Sequence, residues 1–408
     1  MKSENNGFNR RNFLKTIGIA GLGSVIGSRA NAEPNEPNKP KDMETEGPKV
    51  PLRKFGKDGP QVSTLSYGTI QLIDNQVLLI SSLKWGVTYW DTAAGYTNGN
   101  SEICIGKFLA AHPELRKKVF IATKASHAST VDEVEARLQE SLKRMNTDYV
   151  DVFYGVHVLN DISQLKEELK PWAENAKKKG LIKYFGFSTH TNMAKNLFEA
   201  SKLGWVDAIL TTYNFRLTKN AEMQKAIDAA TKAGIALTAM KTQKSVNIET
   251  DEDKKLVEHF LSKGMTEGQA KIKSVFEDER IAAVTVGMNS VAQIRENVEA
   301  VIDKTKLSAE DRMILERYAE ATCSGYCAGC SNICSQAAPQ APYINNVMRS
   351  LMYHNNYGDK RLAKQTFEEI PAGVRANLLN IDYSAAEARC PQHMPIAKLV
   401  KEAVEKLA

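Results

Sequence analysis

Four ionisable residues at or just after strand-like runs have the types needed for proton transfer. They are Asp91, Tyr96, Lys124 and His157. A phenol with a pKa of about 10 is a weak acid at neutral pH, but an ammonium within hydrogen-bond distance stabilises the phenolate. A neighbouring carboxylate would hold that ammonium, and an imidazole would orient and polarise a carbonyl oxygen. The set predicts a site for proton transfer in which the phenol is the acid.

Each of the four also has a purely structural interpretation. Tyr96 would then pack a loop, and Lys124 would form a structural ion pair with Asp91. His157 would be a buried core histidine with its hydrogen bonds satisfied. Because all four occur at neighbouring strand ends, where such side chains face one another, we favour the catalytic interpretation.

A second cluster of chemically active residues lies near the end of the chain. The run CSGYCAGCSNIC carries cysteines with the spacing C-x2-C-x3-C, and a Cys-Pro pair follows about sixty residues later. Such spacing brings thiolates together on one metal centre. We predict one 4Fe–4S cluster, held by Cys327, Cys330, Cys334 and Cys390. Cys323 competes for one of these positions.

The cysteines are also compatible with disulfides, a redox pair or zinc. Structural disulfides would be expected in an oxidising compartment, and Cys327 with Cys330 would suit a redox pair. Zinc ranks lower, because a zinc site usually pairs two CxxC knuckles and only one is present here. Cys104, in a helical segment, is expected to be an ordinary buried thiol.

The elements that position the first four residues alternate regularly from about residue 60 to 305. Amphipathic segments such as 131–145 separate β-rich runs. The runs cover residues 63–69, 87–92, 119–124, 149–157, 182–189, 207–214, 235–242 and 281–288. Eight strand–helix units in series predict an α/β fold, an eight-stranded (β/α)8 TIM barrel. No GxGxxG follows the first run, which argues against a Rossmann domain.

The ends of the chain differ from this core. Residues 1–32 contain the twin arginines Arg10 and Arg11, a short glycine-rich apolar run and the small-residue sequence Ala30-Asn31-Ala32. This pattern predicts a twin-arginine (Tat) signal peptide. Residues 33–50 are rich in proline and charge and predict a flexible linker. We place the barrel at 51–320 and a small, mainly helical Cys-rich C-terminal domain at 321–408.

Most of residues 50–305 resemble the aldo/keto reductase family. The segment DTAAGYTNGNSEICIGKFL is similar to the family signature after the second strand, and the four ionisable residues correspond to the family's catalytic tetrad. The resemblance implies a nicotinamide cofactor, NADP or NAD, bound in extended form. It assigns cofactor contacts to Ser188, Asn214, Lys241, Gly287, Ser290, Gln293 and Asn297. For Gln293 and Asn297, a solvated helix face is the alternative.

The C-terminal sequence CPQHMPIAKLV is similar to the end of a subgroup of this family that carries an iron–sulfur module. That resemblance supports the predicted cluster at the cysteines. Residues 340–380 read as short helices with Val347, Leu351 and Met352 on one face. We expect these helices to pack the module near the barrel mouth and to cover the substrate site.

Together these patterns predict an exported, periplasmic oxidoreductase acting on a small-molecule carbonyl or alcohol. Its partners would be the twin-arginine export machinery and a redox partner. The alternatives are a non-catalytic electron-transfer or scaffold protein, and a sugar isomerase or epimerase with tightly held cofactor. The net charge of +6 includes five basic residues and one acidic residue in the first 32, so charge gives no support for nucleic-acid binding. No other long apolar run predicts a stable membrane span.

Overall fold

The computed structural model describes residues 49–243 and 250–408, and all of them belong to one compact unit. The predicted signal peptide and nearly all of the predicted linker therefore lie outside the described residues. The strands close into a parallel barrel in which each strand pairs with the next one along the chain, and the last pairs with the first. The predicted (β/α)8 barrel is confirmed.

An antiparallel hairpin, β1 (Leu52–Lys54) and β2 (Gln61–Ser63), precedes the barrel and was not predicted. The barrel strands agree with the eight predicted runs to within three residues. They are β3 (Leu65–Gly68), β4 (Tyr89–Asp91), β5 (Phe120–Ser126), β6 (Val150–His157), β7 (Ile182–Thr189), β8 (Ala208–Thr212), β9 (Ala236–Met240) and β10 (Ile281–Gly287). Because they are almost entirely buried, they read as apolar runs rather than as alternating patterns.

Ten helices follow or lie between the barrel strands in the described ranges. They are α1 (Gln76–Lys84), α2 (Asn100–Ala111), α3 (Val131–Arg144), α4 (Leu169–Lys178), α5 (Met193–Ala200), α6 (Ala221–Lys232), α7 (Asp251–Ser262), α8 (Glu267–Phe276), α9 (Val291–Ile302) and α10 (Ala309–Ala321). The start of α3 is fixed by a capping box, in which the Thr130 side chain accepts from the Glu133 amide and Glu133 accepts in return. Helix α3 buries Val134, Leu138 and Leu142, as its spacing predicts.

The hairpin closes the amino-terminal end of the barrel with aromatic side chains. Phe55 is buried and lies 4.9 Å from the Phe120 ring and 5.2 Å from the Tyr184 ring. Tyr154 is buried in the same cluster. Trp90 instead packs outside the strands, 5.5 Å from Phe108. These aromatic side chains therefore form packing contacts. The open end of the barrel is the one at the carboxyl ends of the strands.

The chain after the barrel forms short helices with a hydrophobic core of their own. They are α11 (Ser331–Ala337), α12 (Ile344–Asn355), α13 (Lys360–Glu368), α14 (Ala372–Asn377), α15 (Ser384–Arg389) and α16 (Ile396–Leu407). Val347, Leu351 and Phe367 are buried in this core. In the described ranges, no helix is long and apolar enough to cross a membrane.

Candidate active site

The four predicted catalytic residues meet at the carboxyl end of the barrel. Lys124 Nζ donates to Asp91 Oδ1 at 2.7 Å and lies 3.2 Å from the Tyr96 hydroxyl. The same ammonium donates to the Thr92 carbonyl at 2.5 Å. The His157 ring lies 6.3 Å from the Tyr96 ring, centroid to centroid, and its Nδ1 is 3.0 Å from Ser126 Oγ. Parallel pairing of β4, β5 and β6 brings these groups together.

Burial is the largest influence on the pKa values of Tyr96, Lys124 and Asp91. Burial raises the pKa of Tyr96 well above 10, and repulsion from Asp91 adds to the increase. Burial also lowers the pKa of Lys124 and raises that of Asp91, although their contact opposes both shifts. The pKa of Tyr96 is therefore raised, whereas the contact with Lys124 by itself was expected to lower it. The phenol remains protonated and is ready to donate.

The imidazole of His157 remains neutral. Burial, followed by repulsion from Lys124, lowers its pKa well below 6.5. A neutral ring polarises a carbonyl by donating one N–H rather than by carrying charge. His157 thus suits the predicted role of orienting a carbonyl oxygen next to Tyr96.

A cavity of about 190 Å³ lies over these residues and is covered by the C-terminal helices. The tetrad lines it from the barrel side. Helices α12 and α13 and the chain that follows each contribute to the other side, through Arg349, Tyr353, Tyr357, Leu362, Gln365, Thr366 and Glu369. The predicted short helices therefore lie over the cavity that the tetrad lines.

Three of the predicted cofactor residues border this cavity. Ser188 is buried, its hydroxyl makes no hydrogen bond in the described part of the chain, and it lines the cavity with Tyr96. An unpartnered buried hydroxyl costs free energy, which a nicotinamide carboxamide would recover. Gly287 and Lys241 also line the cavity. These positions fit a nicotinamide ring placed beside the phenol.

The other predicted cofactor residues lie elsewhere. Asn214 is buried outside the cavity, and its amide donates to the Tyr326 hydroxyl at 3.0 Å. The Asn214 side-chain amide, which was expected to bind the nicotinamide carboxamide, is thus hydrogen-bonded to Tyr326 of the cysteine-rich run. Asn297 is also buried and accepts from Gln243 Nε2 at 2.7 Å, so the alternative of a solvated helix face is wrong for it. Neither residue faces the catalytic cavity.

Ser290 and Gln293 lie at the exposed start of α9. Ser290 caps the helix by accepting from the Gln293 amide, and the Gln293 side chain accepts from the Asn289 amide at 2.7 Å. Helix starts favour anions because free N–H groups and the helix dipole point at them. The arrangement is consistent with the adenosine end of a nucleotide, while the exposure of Gln293 also fits a solvated face.

The four predicted metal ligands surround one small space. Cys327, Cys330, Cys334 and Cys390 all line a cavity of about 20 Å³, whereas Cys323 does not. All are free thiols. Burial raises the pKa of Cys327 to about 12 and that of Cys334 to about 11, so bare thiols there would be protonated.

Among the described residues, no group of three or more His, Cys, Asp or Glu side chains is arranged to hold a metal ion. The four thiols therefore converge without forming a single-ion site. Cys104 is a buried thiol in α2, as expected.

The cysteine-rich run is attached directly to the barrel mouth. The Gly329 carbonyl accepts from the Asn192 amide at 2.7 Å, and Asn345 donates to Thr191 at 2.8 Å. A side chain at position 329 would meet the His190 carbonyl oxygen at 2.1 Å, and its φ of 74° is in the left-handed region. Only glycine fits such a close approach.

Two residues that line the site were not predicted from the sequence. His190 hydrogen-bonds Thr212 Oγ1 at 3.0 Å, and Arg349 projects from α12. Both line the catalytic cavity and a second cavity of about 420 Å³ beneath the C-terminal helices. His190 stands two residues after Ser188, a signal that was present in the sequence. Arg349 lies in a segment without a recognisable motif.

Comparisons with known proteins place most of this chain in one family. The model of the aldo/keto reductase family matches residues 64–320. L-galactose dehydrogenase of Arabidopsis thaliana is 24% identical over 301 residues, which cover 66% of this chain and 93% of that protein. A 6-dehydroglucose reductase of Novosphingobium aromaticivorans is 26% identical over 200 residues, 43% of this chain and 64% of that protein.

A solved structure shows the same fold. The aldo-keto reductase AKR11C1 of Bacillus halodurans, in its holo form, superposes with a TM-score of 0.55 at 22% identity. The match covers 66% of this chain and 96% of the other. The family match ends at residue 320, so the C-terminal helices over the cavity lie beyond it.

Proposed function

Because the chain belongs to the aldo/keto reductase family, we propose that it exchanges hydride between NADP or NAD and a small carbonyl or alcohol substrate. The observation that carries this proposal is the buried contact between Lys124 and Asp91, with the Tyr96 hydroxyl 3.2 Å from the ammonium. Two relatives with sugar-related names, a galactose dehydrogenase and a dehydroglucose reductase, favour a polyhydroxylated substrate.

In the proposed mechanism the protein supplies the proton and the geometry. A bound reduced nicotinamide would supply hydride to the carbonyl carbon, and Ser188 would hold its carboxamide. As negative charge grows on the substrate oxygen, Tyr96 donates its proton there, and Lys124 stabilises the phenolate that remains. His157 donates a hydrogen bond to the same oxygen and fixes its orientation. Asp91 keeps Lys124 in position.

Replacement of the phenol hydroxyl tests this mechanism. We expect Tyr96→Phe to lower kcat for carbonyl reduction by about 10²- to 10⁴-fold, because a positioned general acid contributes that much. Nucleotide affinity, measured by fluorescence of bound NADPH and NADH, should change little. Tyr343→Phe, a half-buried tyrosine outside the catalytic cavity, is the matched control. Undiminished turnover in Tyr96→Phe would contradict the assignment.

We also propose that the protein is exported by the twin-arginine route and carries one 4Fe–4S cluster. The twin arginines and the small-residue sequence near residue 32 support export to the periplasm. Convergence of Cys327, Cys330, Cys334 and Cys390 on one cavity supports the cluster. A cubane cluster separates its thiolates more than a single zinc ion does, which is compatible with the absence of a single-ion site among the described residues.

Such a cluster would carry electrons or stabilise the C-terminal helices, and a redox partner would be needed only for electron transfer. Cys327 lines the larger cavity, which shares His190 with the catalytic cavity. Bleaching the absorbance near 400 nm with dithionite during turnover separates the two roles. Unchanged turnover would assign the cluster a structural role.

A further inference from the structure

Two basic side chains and a histidine lie at the boundary between the two cavities under the C-terminal helices. Arg349, Lys241 and His190 line both the catalytic cavity and the larger cavity next to it. Arg349 comes from α12, whereas Lys241 follows β9 and His190 follows β7. These three side chains thus meet only where the C-terminal helices lie over the barrel.

Arg349 is not fully satisfied by the protein. The side chain is 8% exposed, and its Nη1 has no hydrogen-bond partner within residues 49–243 and 250–408. Its Nη2 lies 3.9 Å from a carboxylate oxygen of Glu369, whose side chain is 41% exposed at the cavity rim. A buried guanidinium with a free N–H retains a desolvation cost until an acceptor binds.

Lys241 adds a second basic group to this boundary. Its ammonium lies 5.0 Å from the centre of the Tyr353 ring, and in the described part of the chain no carboxylate lies within salt-bridge distance of it. Burial, followed by repulsion from Arg349, lowers the pKa of Lys241 well below 10.5. An anion between the two side chains would relieve this repulsion.

From this juxtaposition we infer that the substrate carries a carboxylate, which Arg349 and Lys241 bind while its carbonyl or alcohol group faces Tyr96. This inference rests on the proposed function and adds a substrate class to it. The planar guanidinium pairs well with a carboxylate, and the protein's own Glu369 already approaches Nη2. The reaction itself is unchanged: hydride reaches the carbonyl carbon, the Tyr96 proton reaches the oxygen, and the carboxylate binds without reacting.

The kinetic test compares two aldehydes that differ in charge. The probes are 4-carboxybenzaldehyde and its methyl ester, and the measured quantity is the ratio of their kcat/KM values. We expect the wild type to prefer the acid, and Arg349→Gln to lower the ratio by about 100-fold. Arg349→Lys keeps the charge but loses the two parallel N–H donors of the guanidinium, so this ratio should decrease less. Arg361→Gln, an exposed arginine on α13, should leave the ratio unchanged.

A binding measurement separates this inference from the proposed function. Calorimetry without nucleotide compares 4-(hydroxymethyl)benzoate with its methyl ester. We expect tighter binding of the acid to the wild type, and loss of that preference in Arg349→Gln. If no hydride transfer occurs but this preference holds, the proposed function fails and the anion site stands.

Three outcomes would overturn the anion site. One is equal binding of acid and ester by the wild type. Another is an equal loss of preference in Arg361→Gln, since that would indicate a general charge effect. The third is that Arg349→Gln lowers NADPH affinity and that inorganic diphosphate lowers the NADPH affinity of the wild type to the same extent. The anion bound at Arg349 would then belong to the cofactor.

Discussion

Burial of the Tyr96 hydroxyl decides which direction of the reaction depends on pH. Its raised pKa keeps the phenol protonated, while the lowered pKa of His157 keeps the imidazole neutral. Both groups are therefore in the form needed for carbonyl reduction across the neutral range. Alcohol oxidation needs the opposite form of Tyr96, since the phenolate must accept a proton.

The pH profiles of the two directions should therefore differ. We expect kcat for reduction to be nearly constant between about pH 6 and pH 9, because neither group changes protonation there. For oxidation kcat should rise with pH by up to about tenfold per unit, as the phenolate fraction does below the pKa. Initial rates with saturating substrates in both directions check this. A loss of reductase activity near pH 7 would contradict these pKa directions.

The ion pair between Lys124 and Asp91 can be tested for stability and catalysis separately. Removing one partner leaves a buried charge unpaired, so Lys124→Met should lower the free energy of unfolding by about 3–5 kcal/mol. Adding Asp91→Asn removes the second charge and should recover part of that loss without recovering turnover. Urea unfolding and NADPH oxidation measure the two effects. A stable and active double variant would exclude a catalytic role for the pair.

At the scale of elements, the cover over the catalytic cavity depends on the small core of the C-terminal helices. Phe367 is 1% exposed in that core, on the helix that contributes Leu362, Gln365 and Thr366 to the cavity. Deleting a buried phenyl group leaves a cavity that the surrounding helices fill only partly. We expect α13 to lose its position over Tyr96 before the barrel unfolds.

We therefore expect Phe367→Ala to destabilise the C-terminal helices by about 3–5 kcal/mol and to raise KM for the carbonyl substrate more than it lowers kcat. Phe198→Ala provides the control, because that side chain is 44% exposed on α5. Amide hydrogen exchange should increase in α12 and α13 while the barrel strands remain protected. Uniform exchange across the whole molecule would show that the two parts unfold together.

At the scale of the whole molecule, the proposed cluster predicts different roles for two of the C-terminal cysteines. Cys390→Ser removes a ligand and should lower iron and sulfide content in protein purified without oxygen. Cys323→Ser should not, because Cys323 lies outside the cavity shared by the other four. Elemental analysis measures both. Equal loss of iron in the two variants would assign Cys323 to the ligand set.

The barrel was predictable because each of its strands is a short apolar run followed by an amphipathic helix, a signal that local sequence carries. The catalytic residues were predictable because strand ends in a parallel barrel meet at one edge. The role of Asn214 was not, because Tyr326 approaches it from 112 positions along the chain. Arg349 was missed for the same reason, since its importance comes from packing between distant segments.

The aromatic plug made by Phe55, Phe120 and Tyr184 also affects the kinetics of the protein. With the amino-terminal end of the barrel filled, both reactants have to arrive and depart on the carboxyl side, underneath α12 and α13. Two molecules that share one entrance cannot exchange independently. Sequential kinetics, with both reactants present before hydride moves, are what such a dead-end chamber imposes.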